Sequence, residues 1–169
     1  LDAGPFVIVN VPGFQLYAFD TLGTDGKPTL TMNVVVGKAE LGRQTPLFER
    51  DMEYVVFRPY WVIPPGILRQ EILPAVRRDA GYLARHEMEI YSGSGDTGPT
   101  LPTTSANLAR VSRGELGIRR RPGPRNDLGL AKFIFPNDHN VYMHGTPATA
   151  LFSRARRDFS HGCIRLEDP

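Results

Sequence analysis

The sequence predicts a mainly β fold that carries a helix-containing insertion, so that the architecture is α+β overall. Short β-branched and aromatic runs separated by Gly and Pro fill the first third of the chain, a pattern typical of a β-sandwich or barrel. Apolar residues then take a helical spacing, and strand character returns after residue 130. We therefore expect one domain over residues 1–169, with an insertion between strands of one sheet system.

The strands are predicted from runs of Val, Ile, Phe and Tyr bounded by turn residues. A turn is predicted at 25–28, because Asp-Gly-Lys-Pro favours a reversal of the chain. A short helix is predicted at 148–156, just before the loop that contains the only cysteine. The predicted strands are 5–12, 14–19, 30–36, 54–57, 131–135 and 141–144.

Residues 61–126 are predicted to form a capping (lid) subdomain inserted in the domain. A helix is expected over 65–85, with a break or kink at Pro74. The Ser/Gly-rich stretch 92–102 is expected to be irregular. Insertions of this length in compact domains are typically lids or binding loops.

The composition is that of an ordinary soluble globular protein, with 41% hydrophobic and 22% charged residues. A net charge of +2 is too weakly positive to indicate a nucleic-acid-binding face, although arginines cluster in three places. No apolar run approaches the roughly 20 residues that a membrane span needs. The sequence opens on Leu1, and we expect any export signal or membrane anchor to lie outside it.

Cys163 is the only cysteine, which excludes an internal disulfide and a four-cysteine metal site. It is therefore either an inert buried thiol or a nucleophile. The Ser-His-Gly context and an upstream histidine, His144, favour the nucleophile, because a thiol and an imidazole suffice for acyl transfer through a thioester. Ser160 is the weaker nucleophile of the loop, since a thiol is intrinsically more reactive.

Gly162 permits a sharp turn, through which the N–H groups of Gly162 and Cys163 are predicted to converge on an oxyanion. In an extended segment the side chains of His161 and Cys163 would face the same way. His161 could orient substrate, donate to the oxyanion, brace the loop or act as the base. A zinc site of Cys163 and the neighbouring histidines is disfavoured, because His139 and His144 would face opposite sides of one strand.

Trp61 and Arg165 are weaker candidates for substrate binding. Trp61 either stacks on substrate or packs the lid. Arg165 either meets a substrate carboxylate or pairs with one of the acidic residues that follow it. Thr45, which precedes a proline, is interpreted as part of a turn that enters a strand.

At these residues the chain resembles the L,D-transpeptidase catalytic domain, the YkuD family of bacterial cell-wall enzymes. The family pattern is a histidine, a gap, and then Ser/Thr-His-Gly-Cys; here 15 residues separate His144 from Ser160. Further stretches resemble the YcbB-like branch, which carries a long capping insertion over its active site. Those stretches are 9–12, 34–37, 43–46, 64–65, 71–74 and 121–124.

The resemblance implies a YkuD-type β-sandwich with Cys163 as nucleophile and His144 as general base. The backbone carbonyl of Gly145 would be the third catalytic element, and His161 and Gly162 would complete the oxyanion site with the cysteine. No metal and no cofactor are expected. The substrate-binding candidates are Ser160, Arg165, Tyr142 and Trp61.

The function that the resemblance implies is peptidoglycan L,D-transpeptidation. The thiol would attack a stem tetrapeptide, expel D-alanine and form a 3→3 cross-link with an amine of a second stem. Pairing with protonated His144 is expected to lower the pKa of the thiol. The expected partners are stem peptides and carbapenem β-lactams that acylate the same sulfur, and the expected location is the periplasm or cell envelope.

Several alternatives remain open on the sequence. Water as acceptor would give an L,D-carboxypeptidase, and the same site could attach or release a wall-anchored lipoprotein. A catalytically silent wall-binding module is a rival from another class. A papain-like protease is disfavoured, because its cysteine normally precedes its histidine in the chain.

Overall fold

The computed structural model describes residues 4–20, 26–40 and 42–169. The predicted turn at 25–28 begins at Asp25, which lies outside the described residues. The described residues form twelve strands and four α-helices, and the mainly β fold class is confirmed. In chain order the strands are β1 (Phe6–Asn10), β2 (Gln15–Phe19), β3 (Leu30–Gly37), β4 (Tyr54–Phe57), β5 (Trp61–Val62), β6 (Met88–Tyr91), β7 (Thr100–Leu101), β8 (Gly117–Arg120), β9 (Ala131–Ile134), β10 (Met143–His144), β11 (Asp158–Ser160) and β12 (Ile164–Leu166). The α-helices are α1 (Pro65–Ile67), α2 (Leu73–Arg78), α3 (Tyr82–Arg85) and α4 (Ser105–Ser112).

The chain divides into two compact units. The first consists of Leu1–Phe57 together with Ala131–Pro169, and the second is Arg58–Leu130. The predicted insertion at 61–126 lies within the second unit. Each unit has its own sheet and its own apolar core.

The first unit is built on an eight-stranded sheet in the order β1-β2-β3-β12-β10-β9-β4, with β11 also paired to β3. Two pairings are parallel, β10 with β12 and β11 with β3, and the other pairings are antiparallel. Because strand residues alternate between faces, each central strand gives every second residue to the core. Those core residues include Val34, Val36, Phe133, Met143, Ile164 and Leu166.

The side chain of Arg157, which immediately precedes β11, links that strand to β3 and to the turn between β1 and β2. Its guanidinium donates to the carbonyls of Phe14 (3.0 Å) and Arg154 (2.7 Å) and to the Asn33 side chain (2.9 Å). The predicted helix at 148–156 is wrong: only a 3₁₀ turn forms, at Thr149–Leu151. The Arg157 side chain donates to the carbonyl of Arg154, so that carbonyl is hydrogen-bonded without an α-helical backbone partner.

The second unit pairs its strands in the order β5-β8-β6-β7 and packs its helices on that sheet's core. The prediction of an irregular 92–102 is wrong at its end, since Thr100–Leu101 pairs with β6. Helix α4 was not predicted from the sequence. Its signal was Thr104, whose hydroxyl caps the helix by accepting the Asn107 N–H (3.2 Å).

The break expected at Pro74 takes the form of a π-helical turn. Leu68–Ile72 is π-helical between α1 and α2, and the Leu73 N–H donates to the carbonyl of Leu68, five residues back. Proline has no N–H to donate, so an α-helical ladder cannot continue through it. The wider turn lets the segment remain helical with Pro74 in the first turn of α2.

Among the described residues, no helix is both long enough and apolar enough to cross a membrane.

Candidate active site

A row of basic side chains crosses one face of the first unit's sheet. His144 on β10 lies opposite Lys132 on β9 and opposite Arg165 on β12. Residues opposite each other on neighbouring strands share a face and lie about 5 Å apart. The adjacent residues Phe133, Met143 and Ile164 belong to the core, so Lys132, His144 and Arg165 project from the other face.

Cys163 and Tyr142 extend this row by one step along the same face. Cys163 precedes Arg165 by two residues, and Tyr142 precedes His144 by two. The parallel register that pairs Met143 with Ile164 places Tyr142 beside Cys163. The Tyr142 ring lies 5.6 Å from the His144 ring and 4.1 Å from the Lys132 ammonium. The topology thus brings the predicted thiol and imidazole to one sheet face.

His144 is held in one tautomer by the backbone. Its Nδ1 lies 2.5 Å from the carbonyl oxygen of Gly145, and its side chain is buried. A carbonyl can only accept, so Nδ1 carries the proton and Nε2 keeps the lone pair that can take one. The contact expected at Gly145 is therefore present, and it leaves Nε2 as the basic nitrogen.

Burial keeps the His144 imidazole neutral. It lowers the pKa of His144 to about 4, and the positive charges of Arg165 and Lys132 act in the same direction. The hydrogen bond to Gly145 opposes this shift, because that carbonyl stabilises the protonated ring. At neutral pH the ring is therefore a proton acceptor.

The Cys163 thiol is neutral as well. Burial raises its pKa, although Tyr142 and the charges of Lys132 and Arg165 pull the pKa down. The thiol is half-buried, and its sulfur lies 3.9 Å from the carbonyl oxygen of Asn140. The expectation that protonated His144 lowers the thiol pKa is therefore wrong for this state, since desolvation disfavours both charges.

The turn before Cys163 is closed by Ser160. Gly162 has φ +126°, a conformation that favours glycine, and its N–H donates to the Ser160 hydroxyl (3.1 Å). That hydroxyl donates to the Cys163 carbonyl (2.6 Å). Two predictions are corrected here: the Gly162 N–H points into the loop and not at an oxyanion, and the buried Ser160 braces the loop instead of facing a substrate.

His161 is exposed, whereas Cys163 is half-buried. The bend at Gly162 breaks the extended alternation that would have turned both side chains the same way. His139, the other member of the zinc set, is an exposed turn residue whose ring lies 5.5 Å from that of Phe48. Within residues 4–20, 26–40 and 42–169, no group of three His, Cys, Asp or Glu side chains is arranged to hold a metal ion.

Trp61 belongs to the second unit, where it packs against that unit's core. The Arg120 guanidinium carbon lies 5.5 Å from its ring centroid. These contacts give Trp61 a packing role within its own unit.

The first unit has an open groove of about 230 Å³ that is lined in part by Lys132 and Tyr142. Lys132 and Tyr142 belong to the row described above, and Asn137 and Asn140 add two further polar residues. The carbonyl oxygen of Asn140 is the one that lies 3.9 Å from the Cys163 sulfur. A groove with a cation at its wall suits a chain that carries a carboxylate.

Two residues of this site were not predicted to belong to it. Lys132 could have been found from the predicted strands, because antiparallel pairing of 131–135 with 141–144 brings it near His144. Thr45 could not: its hydroxyl donates to the Gly162 carbonyl (2.7 Å) across 117 positions of the chain.

The chain is similar to known proteins over nearly its whole length. Residues 4–169 match the YkuD family, described as the L,D-transpeptidase catalytic domain. The chain is also 28% identical over 162 residues to a Haemophilus influenzae protein named "Putative L,D-transpeptidase". That alignment covers 95% of the chain and 31% of the relative, so the chain spans about a third of the relative's length.

Proposed function

Because the chain belongs to the YkuD family of L,D-transpeptidase catalytic domains, we propose that it forms 3→3 cross-links in peptidoglycan through a thioester on Cys163. The observation that supports this most directly is that Cys163 immediately precedes β12, which pairs in parallel with the strand β10 that carries His144. The acyl donor is a stem tetrapeptide, and the acceptor is a side-chain amine of a second stem.

In the first half-reaction the Cys163 sulfur attacks the carbonyl carbon before the terminal D-alanine. His144 Nε2 takes the thiol proton as the bond forms, which suits a pair that is neutral at rest. The carbon–nitrogen bond then breaks, and His144 returns the proton to the departing D-alanine nitrogen. The Gly145 carbonyl stabilises the imidazolium that exists between these two steps.

In the second half-reaction an amine attacks the thioester. Its proton passes to His144 Nε2, the carbon–sulfur bond breaks, and the proton returns to the Cys163 sulfur. Lys132 and Arg165 flank the base and provide positive charge for the oxyanion or for a carboxylate of the donor. This cationic surround supports a stem peptide as substrate, because stem peptides carry free carboxylates.

The test uses a disaccharide-tetrapeptide donor and follows products by mass spectrometry. We expect released D-alanine, a cross-linked dimer and an acyl adduct on the wild-type chain. Cys163→Ser and His144→Ala should each lower the turnover by about 10³-fold or more, because they remove the nucleophile or its base. His139→Ala is the matched control, since His139 is exposed and lies outside the site.

Each product pattern assigns a different acceptor. D-alanine without a dimer would indicate water, hence an L,D-carboxypeptidase, and transfer to a lipoprotein amine would indicate attachment to the wall. A folded protein that neither releases D-alanine nor forms an adduct would overturn the proposal and leave a wall-binding module.

The same sulfur should be acylated by carbapenem β-lactams, in which an activated carbonyl replaces that of the donor. One adduct per chain on the wild type, absent from Cys163→Ser, is the expected result by intact mass. The substrate also implies a location in the periplasm or cell envelope, which labelling with a membrane-impermeant reagent in intact cells would check.

A further inference from the structure

The loop that contains Gly162 and Cys163 is held by a residue from a distant part of the chain. Three of the four backbone polar groups of Gly162 and Cys163 are held by two hydroxyls. Ser160 accepts the Gly162 N–H and donates to the Cys163 carbonyl, and Thr45 donates to the Gly162 carbonyl. The fourth group is the Cys163 N–H.

The Gly37 N–H determines which way the hydrogen bond between Thr45 and Gly162 runs. The Gly37 N–H donates to the Thr45 hydroxyl oxygen (2.9 Å), so the single hydroxyl proton is directed to the Gly162 carbonyl (2.7 Å). Thr45 is 8% exposed, and in such a setting water competes poorly for either contact. The end of β3 is thereby joined to the nucleophile loop through one hydroxyl group.

Gly37 allows this junction to form. A Cβ at Gly37 would lie 2.0 Å from the Arg43 carbonyl oxygen and 2.7 Å from the Thr45 nitrogen. Only glycine therefore permits the segment before Thr45 to pack on the end of β3.

The consequence follows from peptide geometry. A trans peptide is planar, with its C=O and N–H on opposite sides, and the described residues contain no cis bond. Holding the Gly162 carbonyl therefore sets the direction of the Cys163 N–H. The Gly162 conformation at φ +126° is accessible to glycine without strain, and a glycine restricts its own ψ least, so an external contact is needed to fix it.

We propose that Thr45 is a positioning residue that holds the Gly162–Cys163 peptide so that the Cys163 N–H faces the developing oxyanion. This inference rests on the proposed acyl transfer. Thr45 itself touches no reacting atom; it acts through the peptide plane. Its loss should slow steps that build charge on a carbonyl oxygen and spare steps that do not.

Two reactions of the same sulfur separate these effects. Acylation by a carbapenem passes through an oxyanion, whereas alkylation by iodoacetamide displaces iodide and forms none. We expect Thr45→Val, which keeps the shape and removes the hydroxyl, to slow acylation about 10- to 100-fold and to leave alkylation in mildly alkaline buffer unchanged. Thr45→Ser keeps the hydroxyl and should recover most of the acylation rate.

Thr29→Val is the matched control, because it removes a hydroxyl that accepts the Asp20 N–H at the far end of β3. Both rates are measured well below each variant's Tm, so that unfolding does not contribute. Equal rates for Thr45→Val and wild type, or an equal loss in both reactions, would overturn the inference. A wild type that is alkylated but never acylated would instead overturn the proposed function, and the inference with it.

Discussion

At the scale of the residue, desolvation decides the charge state of the site. His144 sits among the cations Lys132 and Arg165 in a buried position, and its pKa falls to about 4. Cys163 is shifted in the opposite direction by burial. A neutral pair avoids the cost of holding two charges out of water until substrate arrives. In the proposed reaction the proton moves as the sulfur forms its new bond.

The lowered pKa of His144 predicts a loss of stability in acid. The unfolded chain binds a proton near pH 6.5, so the folded state is penalised as the pH falls from about 6.5 to about 4. The contribution is about 3 kcal/mol of the free energy of unfolding, present above this window and lost below it. Urea unfolding at several pH values should show this slope in wild type and His139→Gln, and a flatter slope in His144→Gln. Equal slopes in all three would contradict the shift.

At the scale of the element, the end of β3 sets the position of the loop that contains Gly162 and Cys163. Gly37 is the last residue of β3, and the close approach of Arg43 and Thr45 leaves no room for a side chain there. The strand therefore provides a fixed end to which the loop is joined.

Gly37→Ala should lower the free energy of unfolding by about 1–3 kcal/mol, because the atoms that its Cβ meets belong to the backbone and cannot rotate away. Gly4→Ala is the control, since a Cβ there meets nothing within 4 Å. Denaturant unfolding measures both variants. If the two substitutions cost the same, the packing of 43–45 against β3 is not as close as described.

At the scale of the whole molecule, the inserted unit has the features of an independent folding unit. Its first and last residues are joined by a hydrogen bond from the Arg58 N–H to the Leu130 carbonyl (2.8 Å). Its apolar core shares no residue with the core of the first unit. Within the inserted unit, the buried Arg119 forms an ion pair with Glu89, and its guanidinium stacks on the ring of Tyr60. Ends that meet allow a unit to be inserted without disturbing either sheet.

Residues 58–130 expressed alone should therefore unfold cooperatively on heating, as followed by circular dichroism. Arg119→Met within this fragment tests its internal ion pair, because removing one partner leaves the Glu89 carboxylate without its cation and should lower the Tm. Exchange of the exposed Arg77 for Met is the control. A fragment without a cooperative transition would mean that the unit depends on the rest of the chain.

The mainly β class and most strand positions could be predicted from the sequence, because they depend on local periodicity. The choice of Cys163 and His144 as the candidate thiol and imidazole rests on side-chain chemistry and likewise needed only the sequence. Prediction from the sequence failed where distant residues meet or where a chain segment has competing partners. The helix predicted at 148–156 does not form, and the side chain of Arg157 donates a hydrogen bond to the Arg154 carbonyl of that segment. Only the tertiary structure placed Lys132 and Arg165 on either side of His144, aimed the Gly162 N–H into its loop and brought Thr45 to that loop. Strand register and burial set those features, and both depend on contacts between parts of the chain far apart in sequence.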